Sequence, residues 1–267
     1  MSHYKSPAKL NLFLNIINKR NDGYHNIQSI FHLIDLFDYL SLNRRSDNRV
    51  VFSSNIKILG KDNLVTKSLD IVRKIYKVRN FGMDINLIKN IPLGSGLGGG
   101  SSNAATTLIA LSEIWSLGIS KKDLMALGLK LGSDVPFFIN GKNAWVEGRG
   151  DKIKKISLDP KWYLLIFSKE PLLSRDIYKL IEIEEKKIKV TYDDFLKGKT
   201  NNIFENIVMK RYPTVARAKN WLSQFGKVKM SGTGGTIFAS FNDFESAEKV
   251  FKLMPKSFDG TIVKGVE

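Results

Sequence analysis

The sequence predicts an α+β fold with two domains, and two stretches of the chain carry that prediction. A glycine-rich loop at residues 92–102 stands between a strand pattern and a long helix pattern. After residue 202 the pattern is helix, helix, strand, strand, helix and strand, which is typical of a split βαβ, ferredoxin-like domain. We expect an N-terminal α+β domain at residues 1–156 and a C-terminal ferredoxin-like domain at residues 157–267.

The composition limits the class of protein. With 267 residues, of which 43% are hydrophobic, the chain is long and apolar enough for domains with ample cores. It has no cysteine, which excludes disulfides, thiolate metal sites and cysteine nucleophiles. Its histidines (His3, His25 and His32) do not have the spacing of a recognised metal site. The first residues lack the apolar core of a signal peptide, and no apolar run is long enough to span a bilayer. We therefore expect a cytoplasmic protein with no membrane partner.

The strong positive charge fits two classes of partner. Lys and Arg number 42 against 26 Asp and Glu, which gives a formal net charge of +16. A nucleic-acid-binding module would use such a surface and would lose affinity steeply with salt, while a positive field would also favour small anionic substrates. The basic residues are spread along the chain without a long basic tract. The charge alone does not distinguish these two classes of partner. Because the sequence also carries ordered catalytic motifs, we expect a small-molecule substrate and no nucleic-acid partner.

The glycine-rich loop predicts an anion site. Its sequence is Ile91-Pro92-Leu93-Gly94-Ser95-Gly96-Leu97-Gly98-Gly99-Gly100-Ser101-Ser102. Glycine reaches positive φ without a Cβ clash, so the backbone N–H groups of such a loop can point at a ligand. The next helix presents unpaired N–H groups at its N-terminus, and Ala104, Leu108, Leu111 and Trp115 give it an apolar stripe. A plain linker is the alternative, but a linker is seldom followed at once by an amphipathic helix.

Two other phosphate loops fit this stretch less well. A Walker A loop requires a lysine, which is absent here. A dinucleotide-binding fingerprint can be placed on Gly94, Gly96 and Gly99, but it also requires an acidic residue at the end of a second strand. Glu113 lies inside the helix pattern instead.

The first strand places two polar residues side by side. Residues 8–16 alternate strictly, which puts leucine and isoleucine on one face and Lys9, Asn11 and Phe13 on the other. From the alternation alone, Lys9 can be an ordinary solvated lysine. The segment Ser6-Pro7-Ala8-Lys9-Leu10-Asn11-Leu12, together with the Pro-x-x-x-Gly-x-Gly, Ser-Ser, Ala-Ala order of the glycine loop, resembles the GHMP kinases. This family includes galactokinase, homoserine kinase, mevalonate kinase and phosphomevalonate kinase.

The resemblance implies a fold and a reaction. It implies a two-domain GHMP kinase fold, with an N-terminal ATP-binding α+β domain and a C-terminal ferredoxin-like domain, and transfer of the γ-phosphoryl of ATP, with Mg²⁺, to a small molecule. The implied ATP-binding residues are Asn63, Lys89, Pro92, Leu93, Gly94, Ser95, Gly96, Leu97, Gly98, Gly99, Gly100, Ser101 and Ser102. For Asn63, or its neighbour Asp62, a helix N-cap is an equally good interpretation. Two alternatives stay open for Mg²⁺, which can be held by Ser102 or by phosphates alone. For the oligomeric state the alternatives are a monomer and a homodimer.

A second motif resembles the catalytic segment of the family. The sequence Gly132-Ser133-Asp134-Val135-Pro136-Phe137-Phe138 follows a helix that the pattern ends at Leu131. An acidic residue at this place is often only a cap or a turn residue. The resemblance implies that Asp134 accepts the proton of the acceptor hydroxyl, and that Lys9 pairs with this carboxylate and holds it ionised. Asn11 would position the acceptor.

The loop after the first strand indicates the acceptor. Its sequence, Lys19-Arg20-Asn21-Asp22-Gly23-Tyr24-His25, contains an Asp-Gly turn signal and on that basis predicts a hairpin tip. It also resembles the substrate loop of one branch of the family, whose acceptor carries a cytosine. The resemblance implies that Tyr24 stacks on that ring and that His25 hydrogen-bonds near it. The further substrate-binding candidates are Phe31, Tyr178, Gly232 and Thr233.

Two alternatives remain for these assignments. Phe31 is explained equally well as a core residue, because scattered aromatic residues are usually buried. A different GHMP kinase, acting on homoserine or mevalonate, would share the glycine loop without needing Tyr24 and His25.

Overall fold

The computed structural model describes residues 2–58, 63–78, 81–181 and 189–266. The chain forms two compact units, which interleave along the sequence. Unit 1 comprises Met1–Ala8, Leu36–Ile91 and Gly98–Gly141, and unit 2 comprises Lys9–Asp35, Pro92–Leu97 and Lys142–Glu267. The strands β1 (Ser2–Lys19) and β2 (His25–Arg45) each contribute residues to both units. The division of the sequence between residues 156 and 157 stays a prediction.

Unit 1 consists of helices and a small sheet. Its further elements are β3 (Val50–Ser54), α1 (Leu64–Tyr76), β4 (Gly82–Ile88), α2 (Gly99–Ile114), α3 (Lys121–Leu131) and α4 (Val135–Asn140). Strand β4 lies between the C-terminal part of β2, which is antiparallel to it, and β3, which is parallel to it. Helix α2 packs against α1, α3 and α4.

Local sequence signals set the ends of α1 and α3 as expected. The Asn63 side chain caps α1 by accepting hydrogen bonds from the backbone N–H groups of Val65 and Thr66, at 3.0 and 3.4 Å. Asp62, the other candidate cap, lies outside the described residues. Helix α3 ends at Gly132, which confirms the expected stop. Helix α4 was not expected from the sequence, since six residues are too few to show a helical period.

Helix α2 is more buried than an amphipathic helix. The four positions of its predicted apolar stripe are all buried: Ala104, Leu108, Leu111 and Trp115. Thr107 and Ala110, which lie off that stripe, are buried as well, so the buried surface of the helix is wider than its apolar stripe. The physical reason is that three helices pack around α2, and its many small side chains let them approach closely.

Unit 2 contains a second sheet with helices. Its further elements are β5 (Ala144–Gly148), β6 (Lys152–Lys155), β7 (Trp162–Phe167), α5 (Ser174–Tyr178), α6 (Tyr192–Leu196), α7 (Glu205–Arg211), α8 (Pro213–Leu222), β8 (Val228–Ser231), β9 (Thr236–Phe241), α9 (Phe244–Lys252) and β10 (Asp259–Lys264). The antiparallel strand order is β10-β7-β9-β8. Helix α8 packs on β9, and α9 packs on β7, β9 and β10. This arrangement confirms the ferredoxin-like prediction, and it places β7 in the interior of the sheet.

Unit 2 differs from the sequence pattern in two places. In β1 the face that carries Lys9, Asn11 and Phe13 is buried like the apolar face, and Lys9 is only 3% exposed. The alternative interpretation of Lys9 as a solvated lysine is therefore wrong, because both faces of this strand are covered. Residues 182–199 form a charged run whose pattern predicts a solvated helix end and loop, and this run contains α6, whose start is fixed by a capping box between Thr191 and Asp194. Residues 182–188 of that stretch lie outside the described residues.

Within the described ranges, no helix is both long enough and apolar enough to cross a membrane.

Candidate active site

The N-terminus of α2 in unit 1 has the geometry of an anion site. Gly98 is its N-cap with φ 74°, a left-handed conformation that favours glycine, and Gly99 is the first helical residue. The first N–H groups of a helix have no partner within the helix, and its dipole favours negative charge there. Ser102, in the first turn, is fully buried, and its hydroxyl has no hydrogen-bond partner among the described residues. A buried polar atom of this kind is typical of a ligand position.

The catalytic candidate of unit 1 lies next to this helix end. Helices α2 and α4 pack together, and a Cβ placed on Gly132 would lie 3.5 Å from the Ser101 Oγ. Asp134 follows within this segment, half-buried, immediately before the first residue of α4. Its side chain makes no capping hydrogen bond to α4, so the simple helix-cap interpretation does not account for it. Unit 1 therefore brings the aspartate segment to the side of the expected phosphate helix.

Two residues with a predicted ATP contact have structural partners in unit 1. The Asn63 side chain is engaged as the cap of α1. Lys89 is 7% exposed, and its Nζ forms an ion pair with Asp38 and donates a hydrogen bond to the Asn103 Oδ1 at 3.3 Å. Burial lowers the pKa of Lys89, while the charge of Asp38 acts in the opposite direction. These contacts hold both residues in place within unit 1.

In unit 2, Lys9 contacts the first half of the glycine-rich loop. Its Nζ donates to the carbonyl oxygen of Gly96 at 3.1 Å and to the Asn11 Oδ1, and its backbone N–H donates to the Leu97 carbonyl at 3.0 Å. The Nζ also lies 4.8 Å from the centroid of the Phe31 ring, a cation–π contact. Phe31 is 1% exposed, which supports its alternative assignment as a core residue.

A further loop that contains three glycines, residues 230–236, meets the same segment within unit 2. The Ser231 hydroxyl accepts a hydrogen bond from the Asn11 backbone N–H and donates one to the Gly96 carbonyl, both at 3.1 Å. Gly96 has φ 76°, and a Cβ there would lie 2.3 Å from the Ser231 carbonyl oxygen. Thr233 is buried with its hydroxyl 2.9 Å from that of Ser174. Glycine is required because the two loops approach each other backbone to backbone.

The acceptor loop of unit 2 presents aromatic rings. His25 stacks on Tyr178 with ring centroids 5.2 Å apart and an angle of 30° between the planes. The Tyr24 side chain is exposed, and the Arg149 guanidinium lies 3.7 Å from its ring centroid. Burial lowers the pKa of His25, and the charge of Lys19 lowers it further. His25 therefore favours the neutral form, in which one ring nitrogen donates and the other accepts.

Sequence reasoning missed several residues that order these loops. Asp38, Ser231 and Arg149 were not assigned a role, although all three contact candidate residues. Asp38 carried only a shared signal, since it is one of two acidic residues, with Asp35, in a mainly apolar stretch of β2. Ser231 lies in a glycine-rich loop at residues 230–236, which was itself a signal, whereas the local sequence indicated only a turn at Arg149.

Two family matches cover more than half of the chain. Residues 63–142 match the GHMP kinases N terminal domain, and residues 191–260 match the GHMP kinases C terminal domain. The chain belongs to the GHMP kinases. It is thus a small-molecule kinase, a class that uses ATP, and the family fixes the two-domain α+β fold predicted from the sequence.

The relatives of this GHMP kinase include enzymes of one branch. The 4-diphosphocytidyl-2-C-methyl-D-erythritol kinase of Polynucleobacter necessarius subsp. necessarius (strain STIR1) is 42% identical over 98% of this chain and 92% of its own length. The enzyme of the same name from Buchnera aphidicola subsp. Schizaphis graminum (strain Sg) is 39% identical, with the same two coverages of 98% and 92%.

Solved structures agree on the fold of this GHMP kinase. A crystal structure of 4-(cytidine 5'-diphospho)-2C-methyl-D-erythritol kinase has a TM-score of 0.84 at 26% identity and covers 100% of both chains. The mevalonate kinase of Methanococcus jannaschii has a TM-score of 0.72 at 16% identity, over 100% of this chain and 98% of that chain. At that identity the second likeness concerns the fold alone.

Proposed function

We propose that this GHMP kinase transfers the γ-phosphoryl of ATP to the C2 hydroxyl of 4-diphosphocytidyl-2-C-methyl-D-erythritol, in non-mevalonate isoprenoid precursor biosynthesis. The observation that carries the proposal is the near full-length identity to relatives with that name. The exposed Tyr24 and the His25–Tyr178 ring stack support it, because a cytosine needs an aromatic face and a polar edge to be recognised.

The nucleotide would bind along residues 92–102. Its phosphates would lie at the N-terminus of α2, where the N–H groups and the helix dipole favour anions. The Ser102 hydroxyl is a neutral oxygen donor, which suits a Mg²⁺ ion that takes most of its ligands from phosphates and water. Bound there, Mg²⁺ would neutralise charge that develops on the transferred phosphoryl group. Within the described ranges, no cluster of three or more His, Cys, Asp or Glu side chains is placed to hold a metal ion by itself.

Three residues would act on the acceptor hydroxyl. Asp134 would accept its proton as phosphoryl transfer proceeds. Lys9 would stabilise the Asp134 carboxylate and the phosphoryl charge, and Asn11 would orient the hydroxyl. In unit 2 the Lys9 Nζ and the Asn11 Oδ1 are already hydrogen-bonded, and the Asn11 Nδ2 donates to the Ser29 hydroxyl at 2.9 Å. These bonds fix both side chains before a substrate binds, which lowers the entropy cost of reaching the reactive geometry.

The cytidyl end of the acceptor would bind at the aromatic rings of unit 2. Arg149 lies on the Tyr24 ring, so we assign the base to the opposite face of that ring. His25, held by its stack on Tyr178, would hydrogen-bond the polar edge of the base. Gly232 and Thr233 would contact the rest of the acceptor. We further propose a cytoplasmic enzyme, monomer or homodimer, with no nucleic-acid partner.

A substrate panel tests the proposal. ADP release is measured with Mg-ATP and 4-diphosphocytidyl-2-C-methyl-D-erythritol, with homoserine and mevalonate in parallel reactions. Turnover with the cytidyl acceptor only is the expected result. Turnover with homoserine or mevalonate instead would retain the kinase and refute the roles given to Tyr24 and His25. Retention on random DNA that falls steeply with salt, without turnover of any acceptor, would favour the nucleic-acid-binding alternative.

A further inference from the structure

Asp38 of β2 is a fully buried carboxylate with four hydrogen-bond donors. Its Oδ1 accepts from the backbone N–H groups of Asn90 and Ile91, each at 2.8 Å. Its Oδ2 accepts from the Asn103 Nδ2 at 2.9 Å and from the Lys89 Nζ. A buried carboxylate is tolerated only when it is paired and hydrogen-bonded, and this one is satisfied on both oxygens.

The donors stand at the two ends of the glycine-rich segment. Asn90 and Ile91 immediately precede residues 92–102, and Asn103 immediately follows them. The main-chain pairing of β2 with β4 ends at Tyr39 opposite Ile88, so Asp38 is the first β2 residue beyond it. Where the backbone hydrogen bonds between β2 and β4 stop, the Asp38 carboxylate bonds the chain after β4 to β2. It also bonds to Asn103, so it links the residues at the two ends of the glycine-rich loop.

Lys89 places its charge beneath the first residue of α2. A Cβ on Gly99 would lie 2.9 Å from the Lys89 Nζ and 2.9 Å from the Ile91 side chain. The ammonium group is 3.3 Å from the Asn103 Oδ1 and is paired with Asp38. Asp38, Lys89 and Asn103 therefore form one buried network directly under the helix end that we assign to the ATP phosphates.

We propose that Asp38 is a positioning residue for the nucleotide phosphates. It acts through Lys89 and Asn103 by fixing the first turn of α2 against β2, so that the N–H groups of the helix end are aimed before ATP arrives. A preorganised site avoids the cost of ordering the loop on binding, and a displacement of about 1 Å in such a site can reduce activity about 100-fold. This inference rests on the proposed binding of ATP to residues 92–102.

The direct test is Asp38→Asn, measured as the Kd of Mg-ADP by isothermal titration calorimetry. The amide oxygen of this variant still accepts from Asn90 and Ile91, but its NH₂ faces Lys89 and Asn103, which are both donors in the network. The bonds to Lys89 and Asn103 are therefore lost, while the bonds from the backbone of Asn90 and Ile91 are kept. We expect the Kd of Mg-ADP to rise at least about tenfold.

A charge exchange provides the rescue. In Asp38→Asn/Asn103→Asp the new amide can donate to the new carboxylate, so the bond between positions 38 and 103 forms in the reverse direction, and Lys89 pairs with the carboxylate at position 103. We expect most of the lost Mg-ADP affinity to return. A Kd that stays at the value of the single variant would refute the role of the network in positioning α2.

A matched control separates positioning from general loss of stability. Asn143 is also buried and bridges two backbone groups, accepting from the Leu33 N–H at 2.8 Å and donating to the Val266 carbonyl at 2.6 Å. Asn143→Ala should lower the free energy of unfolding in urea while leaving the Kd of Mg-ADP unchanged. An equal Kd in Asp38→Asn and Asn143→Ala would overturn the inference.

Two further outcomes are decisive. If Asp38→Asn does not fold, Asn103→Ala, which keeps the charge pair and removes one donor, is compared with Asn143→Ala instead, and an equal Kd again overturns the inference. Wild-type protein that binds neither Mg-ADP nor Mg-ATP would refute the proposed function and this inference with it. Wild-type binding combined with unaffected variants would refute the inference alone.

Discussion

His32 makes the stability of this kinase depend on pH. The ring is 1% exposed, and its Nδ1 lies 3.0 Å from the Tyr163 hydroxyl. Burial lowers the pKa of His32 to about 4, with the backbone of Val266 acting in the opposite direction. In the unfolded chain the pKa of histidine is about 6.5. Between these values the unfolded state binds a proton that the folded state does not, so stability is fully present above pH 6.5 and is lost as the pH falls towards 4.

The size of the effect follows from the two pKa values. The free energy of unfolding falls by up to about 1.4 kcal/mol per pH unit in this window, which amounts to about 2 kcal/mol between pH 7 and pH 5 and about 3 kcal/mol by pH 4. Urea titrations of the wild type and of His32→Gln at pH 7, 6 and 5 measure it. Glutamine cannot titrate but can still accept a hydrogen bond from Tyr163.

The difference between the two proteins isolates His32 from other titrating groups, including His25, whose pKa is lowered by burial as well. We expect the advantage of the wild type over His32→Gln to shrink by about 2 kcal/mol from pH 7 to pH 5. A difference that does not change with pH would refute the reasoning, because it would mean that His32 titrates alike in the folded and unfolded states.

Three further predictions concern the site. Asp134→Asn should lower kcat at least about 100-fold with nucleotide binding retained, and unchanged turnover would remove Asp134 from the role of general base. Tyr24→Ala removes a base stack worth about 1–3 kcal/mol, so it should raise the KM of the cytidyl acceptor about 5- to 150-fold and leave the KM of ATP unchanged. Tyr24→Phe should retain the stack, and equal acceptor KM values in the two variants would contradict the stacking role of Tyr24. Gly96→Ala should lower the free energy of unfolding in urea more than Gly118→Ala. Both glycines have positive φ, but only a Cβ at Gly96 would meet the backbone of Ser231. Similar losses of unfolding free energy in the two variants would contradict this prediction.

Features set by local sequence were predictable. The cap of α1 at Asn63 depends on a single side chain and its next neighbours, and the stop of α3 at Gly132 is equally local. The ferredoxin-like class of the C-terminal sheet follows from well-separated periodic segments in the order helix, strand, strand, helix and strand, a pattern that few topologies satisfy.

Features set by tertiary neighbours were not predictable. Lys9 is buried, and its side chain contacts Asn11 and the distant Gly96. Alternation along one strand cannot show whether the second face of that strand is covered. Helix α4 has only six residues, too few to show a helical period in the sequence, and its packing on α2 is visible only in the folded structure. The network of Asp38 joins residues 51 and 65 positions away along the chain, so only the folded structure shows it.

The central claim is the transfer of a phosphoryl group to the C2 hydroxyl of the cytidyl acceptor. Phosphorus-31 NMR of the product, formed from Mg-ATP and 4-diphosphocytidyl-2-C-methyl-D-erythritol by the wild-type enzyme, tests it most directly. We predict one new phosphomonoester resonance, equimolar with ADP and coupled to the C2 position, beside an intact diphosphate. ADP formation without that resonance, or a phosphomonoester on another hydroxyl, would contradict the account.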